Sequence, residues 1–352
     1  MKHNYCILLL ASYDFEAIQL TLKSLDHTVT EIGVPIIVIL NGGSASYKGS
    51  KVEKICRDWA RSGVNRHIIR PVASGKEPLF AIQETIASFD LLKDIKYILK
   101  IDDDLIPLKP GWATDIANLY HNSEEKYGNI GFTTGLINNN SWGFKELLTI
   151  YDKWEEYRSF MNHASLGGRN LEIAVKAGAV DTGLNGTIWQ YPALAAWLHE
   201  WTSFEIPLFI SKTKDLKVEE IAITTHYSIG CMYSHKDLWL NLVPEGDNFD
   251  ELLIHQYCLK NNLKKFAAMY QPFLHLFYFK QRLANAYLFP GFMENLARHF
   301  NDPTFQNIIR INNEDRLADI EEKLGFIKTF ERKFGKIERI LLKVKNFLPF
   351  KI

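Results

Sequence analysis

Three consecutive carboxylates, Asp102-Asp103-Asp104, close an apolar run that reads Tyr97-Ile98-Leu99-Lys100-Ile101. Adjacent carboxylates repel one another unless solvent or a cation offsets their charge. Oxygen ligands of this kind suit Mg2+ or Mn2+, and such an ion can bridge a pyrophosphate. The bland use of the same residues is a solvated acidic turn. A strand-end DxD also serves phosphohydrolases as an aspartyl nucleophile, but that use wants the first strand and a small Gly-Thr-like continuation. Here Leu105-Ile106-Pro107 follows and the motif falls on about the fourth strand, so we set that chemistry aside.

The triplet needs a scaffold, and the first 140 residues supply an alternation of strand and helix signals. Cys6–Ser12 and Pro35–Leu40 are continuous apolar runs, the second ended by the turn signal Asn41-Gly42-Gly43. Ile18, Leu22, Leu25 and Val29 recur at helical spacing, as do Val52, Ile55, Cys56 and Trp59, and then Leu79, Ile82, Ile86 and Phe89. Arg66–Val72 and Tyr97–Ile101 are further strands. Strands buried on both faces and separated by amphipathic helices predict an α/β fold with a mostly parallel sheet flanked by helices. Such sheets bind ligands outside the carboxyl ends of their strands, where the triplet falls. Residues 141–220 read as loops with a few helices, Ile221–Tyr233 as strand, and Ser234 as the cap of a short helix. Asp250–Lys260 reads as a helix stopped near Asn262, Lys265–Tyr270 as a late strand, and the chain from about 290 as helical.

Composition narrows the class without naming a partner. The 352 residues are 47% hydrophobic and 23% charged, ordinary for a globular enzyme, and Lys plus Arg equals Asp plus Glu at 41 each. Residues 328–352 carry eight Lys/Arg against two Glu, so a basic tail follows a mildly acidic body. Cys6, Cys56, Cys231 and Cys258 are far apart with no CxxC, which reads as buried free thiols in a reducing compartment. The run Tyr5–Ala11 is read as a strand in preference to a signal segment, and no run reaches the roughly 18 apolar residues of a spanning helix. The expectation is a cytoplasmic protein, associated at most with the inner face of the membrane.

Several segments together resemble the family 2 inverting glycosyltransferases of the GT-A (Rossmann-like) fold. Leu8-Leu9-Leu10-Ala11-Ser12-Tyr13-Asp14 is similar to that family's first strand and its Ser/Thr-Tyr-Asn ending. Ile36–Ser44 is similar to its second strand, which usually ends Asp-Asp-Gly-Ser; here Asn41 stands where an acidic, base-reading residue is usual. Ser74-Gly75-Lys76 resembles a loop that carries a basic phosphate contact, and Asp102–Asp104 resembles the donor and metal motif in order and spacing. The match runs over about residues 5–135, and more loosely over 221–280.

The resemblance implies a metal-dependent glycosyltransferase of hexosyltransferase type, using a nucleotide-sugar donor (a UDP-sugar) with Mn2+ or Mg2+. It implies donor-binding roles for Ser12, Tyr13, Asn41, Lys76, Asp102 and Asp103, with Asp104 on the metal. It also implies a GT-A catalytic domain over 1–285, with a nucleotide-sugar-binding half (1–135) and an acceptor half (136–285), and a helical C-terminal extension over 286–352. Inverting transfer is a single displacement in which a carboxylate takes the acceptor's proton while the metal stabilises the leaving diphosphate. Glu245-Gly246-Asp247-Asn248-Phe249-Asp250-Glu251-Leu252 resembles the family's acidic pair before Leu, which makes Asp250 the first candidate base, with Glu251 and Asp247 as rivals. Acidic residues in a first helical turn also complement the helix dipole without catalysis. Many GT-A enzymes close the metal site with a His in the region of Pro272–Tyr278, so His275 is a candidate second ligand and His226 a weaker one.

Gly178–Gly186 and Trp189-Gln190-Tyr191 are the segments suited to an acceptor, a glycan or a lipid-linked saccharide. The tail 328–352 has the basic amphipathic character of a peripheral membrane helix, or of one packed on the catalytic domain or a second subunit in a homodimer. No nucleic-acid partner is expected. Two other functions compete. A sugar-1-phosphate nucleotidylyltransferase predicts a Gly-rich loop after the first strand, which Ser12-Tyr13-Asp14-Phe15 is not. A non-catalytic glycan-binding protein of the same fold is separated from the enzyme only by turnover.

Overall fold

The computed structural model describes residues 4–42, 46–72, 78–139, 141–163, 192–222, 228–243, 250–276, 286–318 and 320. The chain divides into two compact units, Met1–Ile308 and Ile309–Ile352. In the second unit the described part includes a reciprocal pair, in which the Asn312 N–H donates to Asp315 (2.9 Å) and the Asp315 N–H to Asn312 (3.0 Å).

The first unit opens with β1 (Tyr5–Ala11), α1 (Phe15–Thr28), β2 (Ile36–Leu40), α2 (Tyr47–Arg61), β3 (Arg66–Ile69), α3 (Pro78–Ser88) and β4 (Tyr97–Asp102). Every residue of β1 and β2 is buried, which is why both lack the polar alternation of a half-exposed strand. Asp14 caps α1 by accepting the Ala17 N–H at 3.0 Å, and Ser46 caps α2 by accepting the Gly49 N–H at 3.0 Å. Each cap satisfies a donor that the first helical turn leaves orphaned, for about 1 kcal/mol.

The chain continues through β5 (Leu105–Pro107), α4 (Trp112–Tyr127), β6 (Ile130–Ile137), α5 (Ser141–Ile150), α6 (Trp154–His163), α7 (Pro192–Trp201), α8 (Ile206–Thr213) and β7 (Val218–Ile221). It then forms β8 (Cys231–His235), α9 (Lys236–Leu240), α10 (Asp250–Lys260), β9 (Lys264–His275) and α11 (Phe289–Phe300). Among the described residues these strands form one nine-stranded sheet in the order β3-β2-β1-β4-β8-β6-β9-β5, with β7 also on β9.

The strands β3, β2, β1 and β4 run parallel, and β8 is antiparallel to both β4 and β6. The walk from β1 to β3 and back across to β4 reverses direction, so right-handed crossovers put α1 and α2 on one face and α3 on the other. In agreement, α1 packs on α2, and α3 on α9. This is the α/β sheet flanked by helices that the sequence predicts, compatible with a Rossmann-like GT-A fold, but it is mixed and not mostly parallel. Four strand pairings are parallel and four antiparallel, because β8, β7 and β5 pair antiparallel with their neighbours. The reversal beside β1 and β4 is a topological switch point, the usual ligand position in open α/β sheets.

Boundaries shift where local signals compete. His235, not Ser234, caps α9, its ring nitrogen facing the Asp237 N–H at 3.2 Å. Asn262 takes a left-handed φ of 51° just after α10, the stop expected of it. The late strand is longer than predicted: β9 pairs with β6, β7 and β5 along its length, so its polar residues lie inside the sheet. The four cysteines are free and buried. No helix among the described residues is long and apolar enough to cross a membrane.

Candidate functional site

Neighbouring parallel strands bring the candidate donor residues to one edge. Ala11 is in register with Leu40, and Leu10 with Asp102, so the residues just after β1, β2 and β4 lie side by side at their carboxyl ends. Those residues are Ser12 and Tyr13, Asn41 and Gly42, and Asp103 and Asp104. Asn41 is buried, its N–H donating to the Ala11 carbonyl at 2.8 Å, while Tyr13 remains 37% exposed. A side chain at position 42 would put its Cβ 2.2 Å from the Ser12 carbonyl oxygen, so only glycine lets the two strand ends approach this closely. Arg70 ties this corner down, donating to the Gly42 carbonyl (2.5 Å) and to Glu53 (2.7 Å).

The triplet divides into three different environments. Asp103 turns inward, accepting the Ser12 N–H at 2.7 Å, and its carbonyl accepts the Thr21 hydroxyl at 2.8 Å. Burial, then the neighbouring Asp104, pushes its carboxyl well above the usual carboxylate range, against the pull of the Ser12 N–H. Asp102 pairs at 2.6 Å with Lys100, two residues earlier and on the same side of β4. Asp104 faces His275, with Oδ1 3.2 Å from Nε2.

Lys100 is a residue whose role sequence reasoning missed. Its side chain is 2% exposed, and its ammonium also donates to the Ile229 carbonyl at 2.9 Å. Burial opposes its charge, yet Asp102, Asp250 and Glu251 outweigh that and raise its pKa. Asp102 moves up as well, to about 6, because burial outweighs the lysine's pull and Asp104 adds repulsion. The Asp102 side chain keeps 29% of its surface exposed, so solvent moderates that rise. The available signal was a single Lys in a run otherwise buried on both faces, two positions before an Asp.

Strand pairing places His275. Leu105 is in register with His275 across the antiparallel β5–β9 pair, and the Leu276 N–H donates to the Asp104 carbonyl at 2.9 Å. The ring is 5% exposed as a residue and held from behind by two amides at the end of β6. Asn138 accepts the His275 backbone N–H at 2.9 Å, and the Asn139 side-chain nitrogen lies 2.7 Å from Nδ1. Burial works against a charged ring, but the Asp104 carboxylate prevails and raises the His275 pKa. Behind it, burial and the nearby His275 push the His199 ring down to about 3.

The start of α10 comes within electrostatic reach of this cluster. Glu251 is pushed up to about 7 by burial, then by Asp250 and Asp102, with Lys100 and His275 pulling the other way. Asp250 accepts the Glu251 N–H at 2.9 Å. Thus Ser12, Tyr13, Asn41, the triplet, His275, Asp250 and Glu251 gather at one edge. Lys76, Asp247, His226, the segment 178–191 and the tail 328–352 lie outside the described residues.

A divalent ion fits part of this arrangement. Two ligands held cis on an octahedral ion at about 2.1 Å lie about 3.0 Å apart, close to the Asp104–His275 separation. A carboxylate oxygen with an imidazole nitrogen suits Mn2+. Among the described residues no group of three His, Cys, Asp or Glu side chains is disposed to hold a metal by itself.

No family model and no curated protein matches the sequence. Among solved structures the chain is similar to the crystal structure of S. aureus TarS, at 12% identity and a TM-score of 0.25. That match covers 38% of this chain and 21% of that one, so the chain spans about a fifth of TarS, and so slight a likeness carries no argument.

Proposed function

We propose that this chain is a glycosyltransferase that moves a sugar from a nucleotide-diphosphate donor to a glycan or lipid-linked acceptor with inversion. The observation that supports it best is the strand register that sets Asp104 against His275 beside Asp102, within electrostatic reach of the acidic start of α10. In this reading Tyr13 and Asn41 meet the nucleobase, which in a UDP-sugar is uracil, and Lys76 a phosphate. Asp102 takes the ribose side, and Asp103 holds the strand end in place. Asp104 and His275 would hold Mn2+ or Mg2+, which when bound stabilises the departing diphosphate. Lys100 keeps Asp102 ionised and fixed.

The acceptor's proton goes to a carboxylate on α10. Glu251 suits that role, because a base works best with a pKa near the working pH and Glu251 is pushed up to about 7. Asp250 then orients the helix start through the Glu251 N–H. Asp247 stays a rival that the same substitution series addresses. Acceptor contacts fall to 178–191, membrane or subunit contacts to 328–352.

Turnover of a panel of nucleotide sugars with Mn2+ or Mg2+ tests this reading. We expect donor hydrolysis or transfer by the wild type, with little left in Asp104→Ala and Glu251→Gln. Full turnover in Asp104→Ala would remove the mechanism. Nucleotide binding without turnover in the wild type would make the chain a binding protein of this fold.

A further inference from the structure

The ring of His275 carries a requirement that its neighbours must meet. A neutral imidazole has one N–H, and the nitrogen that binds a cation is the one without it. Resting on the metal reading above, Nε2 must therefore be bare toward Asp104, and the proton must sit on Nδ1. The group opposite Nδ1 must then accept a hydrogen bond.

That group is Asn139, 5% exposed, whose side-chain nitrogen stands 2.7 Å from Nδ1. In this pose the amide donates to Nδ1, which leaves the proton on Nε2, directed at Asp104 Oδ1 3.2 Å away. A half-turn of the same amide presents its oxygen to Nδ1 and reverses the assignment, with no movement of the ring. The strand that carries the ring is held by other contacts. Asn138 accepts the His275 backbone N–H at 2.9 Å, donates from its side chain to the Thr202 hydroxyl at 3.2 Å, and donates its own backbone N–H to the Phe273 carbonyl at 3.1 Å. The two adjacent amides thus divide the work: Asn138 fixes the strand, and Asn139 meets the ring.

We propose that Asn139 is the positioning residue that selects the tautomer of His275. Its NH2 faces Nδ1 when the ring bonds Asp104, and its oxygen faces Nδ1–H when the ring and Asp104 share a divalent cation. An amide suits this position because it satisfies both states; a hydrocarbon satisfies neither, and a carboxylate only the second.

The full chain tests this with two readouts, neither of which is turnover. Mn2+ binding is measured by electron paramagnetic resonance on wild type, Asn139→Leu, Asn139→Asp and His275→Ala. We expect Asn139→Leu to bind Mn2+ about 10- to 100-fold more weakly, the usual effect of losing a partner behind a ligand, and Asn139→Asp to bind no more weakly than wild type. Nitrogen-15 shifts of His275 in cation-free protein at alkaline pH report where the ring's protons sit. We expect Nε2 protonated and Nδ1 bare in wild type, and Nδ1 protonated as well in Asn139→Asp, where a carboxylate faces each nitrogen. Asn139→Leu binding like wild type while His275→Ala binds poorly would overturn the inference alone. So would an Asn139→Asp protein, folded by its spectrum, whose Nδ1 stays bare. If His275→Ala binds Mn2+ as tightly as wild type, the metal reading fails and takes the inference with it.

Discussion

The two ends of β4 do opposite things with the same strand. At its amino end Tyr97 stacks on Tyr233 with ring centroids 5.6 Å apart and planes at 15°, and meets His121 and His235 edge-on at 4.7 and 5.3 Å. Tyr5 adds an edge to Tyr233 at 5.6 Å, and the His121 ring nitrogen lies 3.1 Å from the Tyr233 hydroxyl. Each such ring contact contributes about 0.5–1.5 kcal/mol beyond the area buried. Five residues on, the strand ends in like charges that burial and mutual repulsion raise in pKa. The amino end gains stability from packing; the carboxyl end gives some up to hold charge beside a ligand position. Local rules broken at one end and obeyed at the other mark where function lies.

The sharpest way to break the contrast is Lys100→Met, which leaves the Asp102 charge without its partner. Removing one member of a buried pair costs about 3–5 kcal/mol, and the partial exposure of Asp102 places this one toward the lower figure. Urea unfolding measures it, and a loss under about 1 kcal/mol would mean the pair is solvated. Lys100→Met with Asp102→Leu should recover much of the loss, since no charge is then stranded.

Asp104→Ala should act the other way, lowering turnover by about 10²–10³-fold on loss of preorganised stabilisation of the leaving group. Its melting temperature should change little, because the relief of Asp102 and Asp103 from a repulsive neighbour offsets the lost contact with His275. A large fall in melting temperature would assign Asp104 to the fold instead. At the far end, Tyr233→Leu should cost about 1–3 kcal/mol in stability and leave nucleotide binding unchanged, as calorimetry can show.

The smallest effect is in the pH profile. With Glu251 at about 7, the rate should fall tenfold per unit below that value, and Glu251→Gln should lose this limb along with activity. The linkage to stability has the opposite sense. A carboxyl raised in the folded state binds its proton more tightly there than in the unfolded chain, where the value is about 4.3. Its contribution to stability is full below about 4.3 and is lost as pH rises through about 7. Unfolding free energies that rise between pH 5 and 7 would contradict this assignment.

Much of the scaffold was legible because its signals are local. Buried runs such as Pro35–Leu40 and the stop at Asn262 depend on a few neighbouring residues, and the α10 bounds Asp250–Lys260 follow from such signals. The candidate site was legible as residue types at strand ends. The roles of Lys100 and of the Asn138-Asn139 pair were not, because a lysine in a strand and two asparagines in a turn acquire meaning only from what lies opposite them.

The sequence by itself determined the strands and helices of the first hundred residues and that an acidic cluster closes a buried strand, since periodicity and charge are properties of the local chain. It did not resolve β5, α4 and β6, and it read as the single strand Ile221–Tyr233 what are the separate strands β7 and β8. Only the tertiary structure decided which carboxylate meets which cation. The antiparallel register of β5 with β9, and the parallel one of β6 with β9, bring Asp104, Asn139 and His275 together from distant parts of the chain. Pairing register is set by the whole sheet, where a slip of one residue would turn every side chain to the other face.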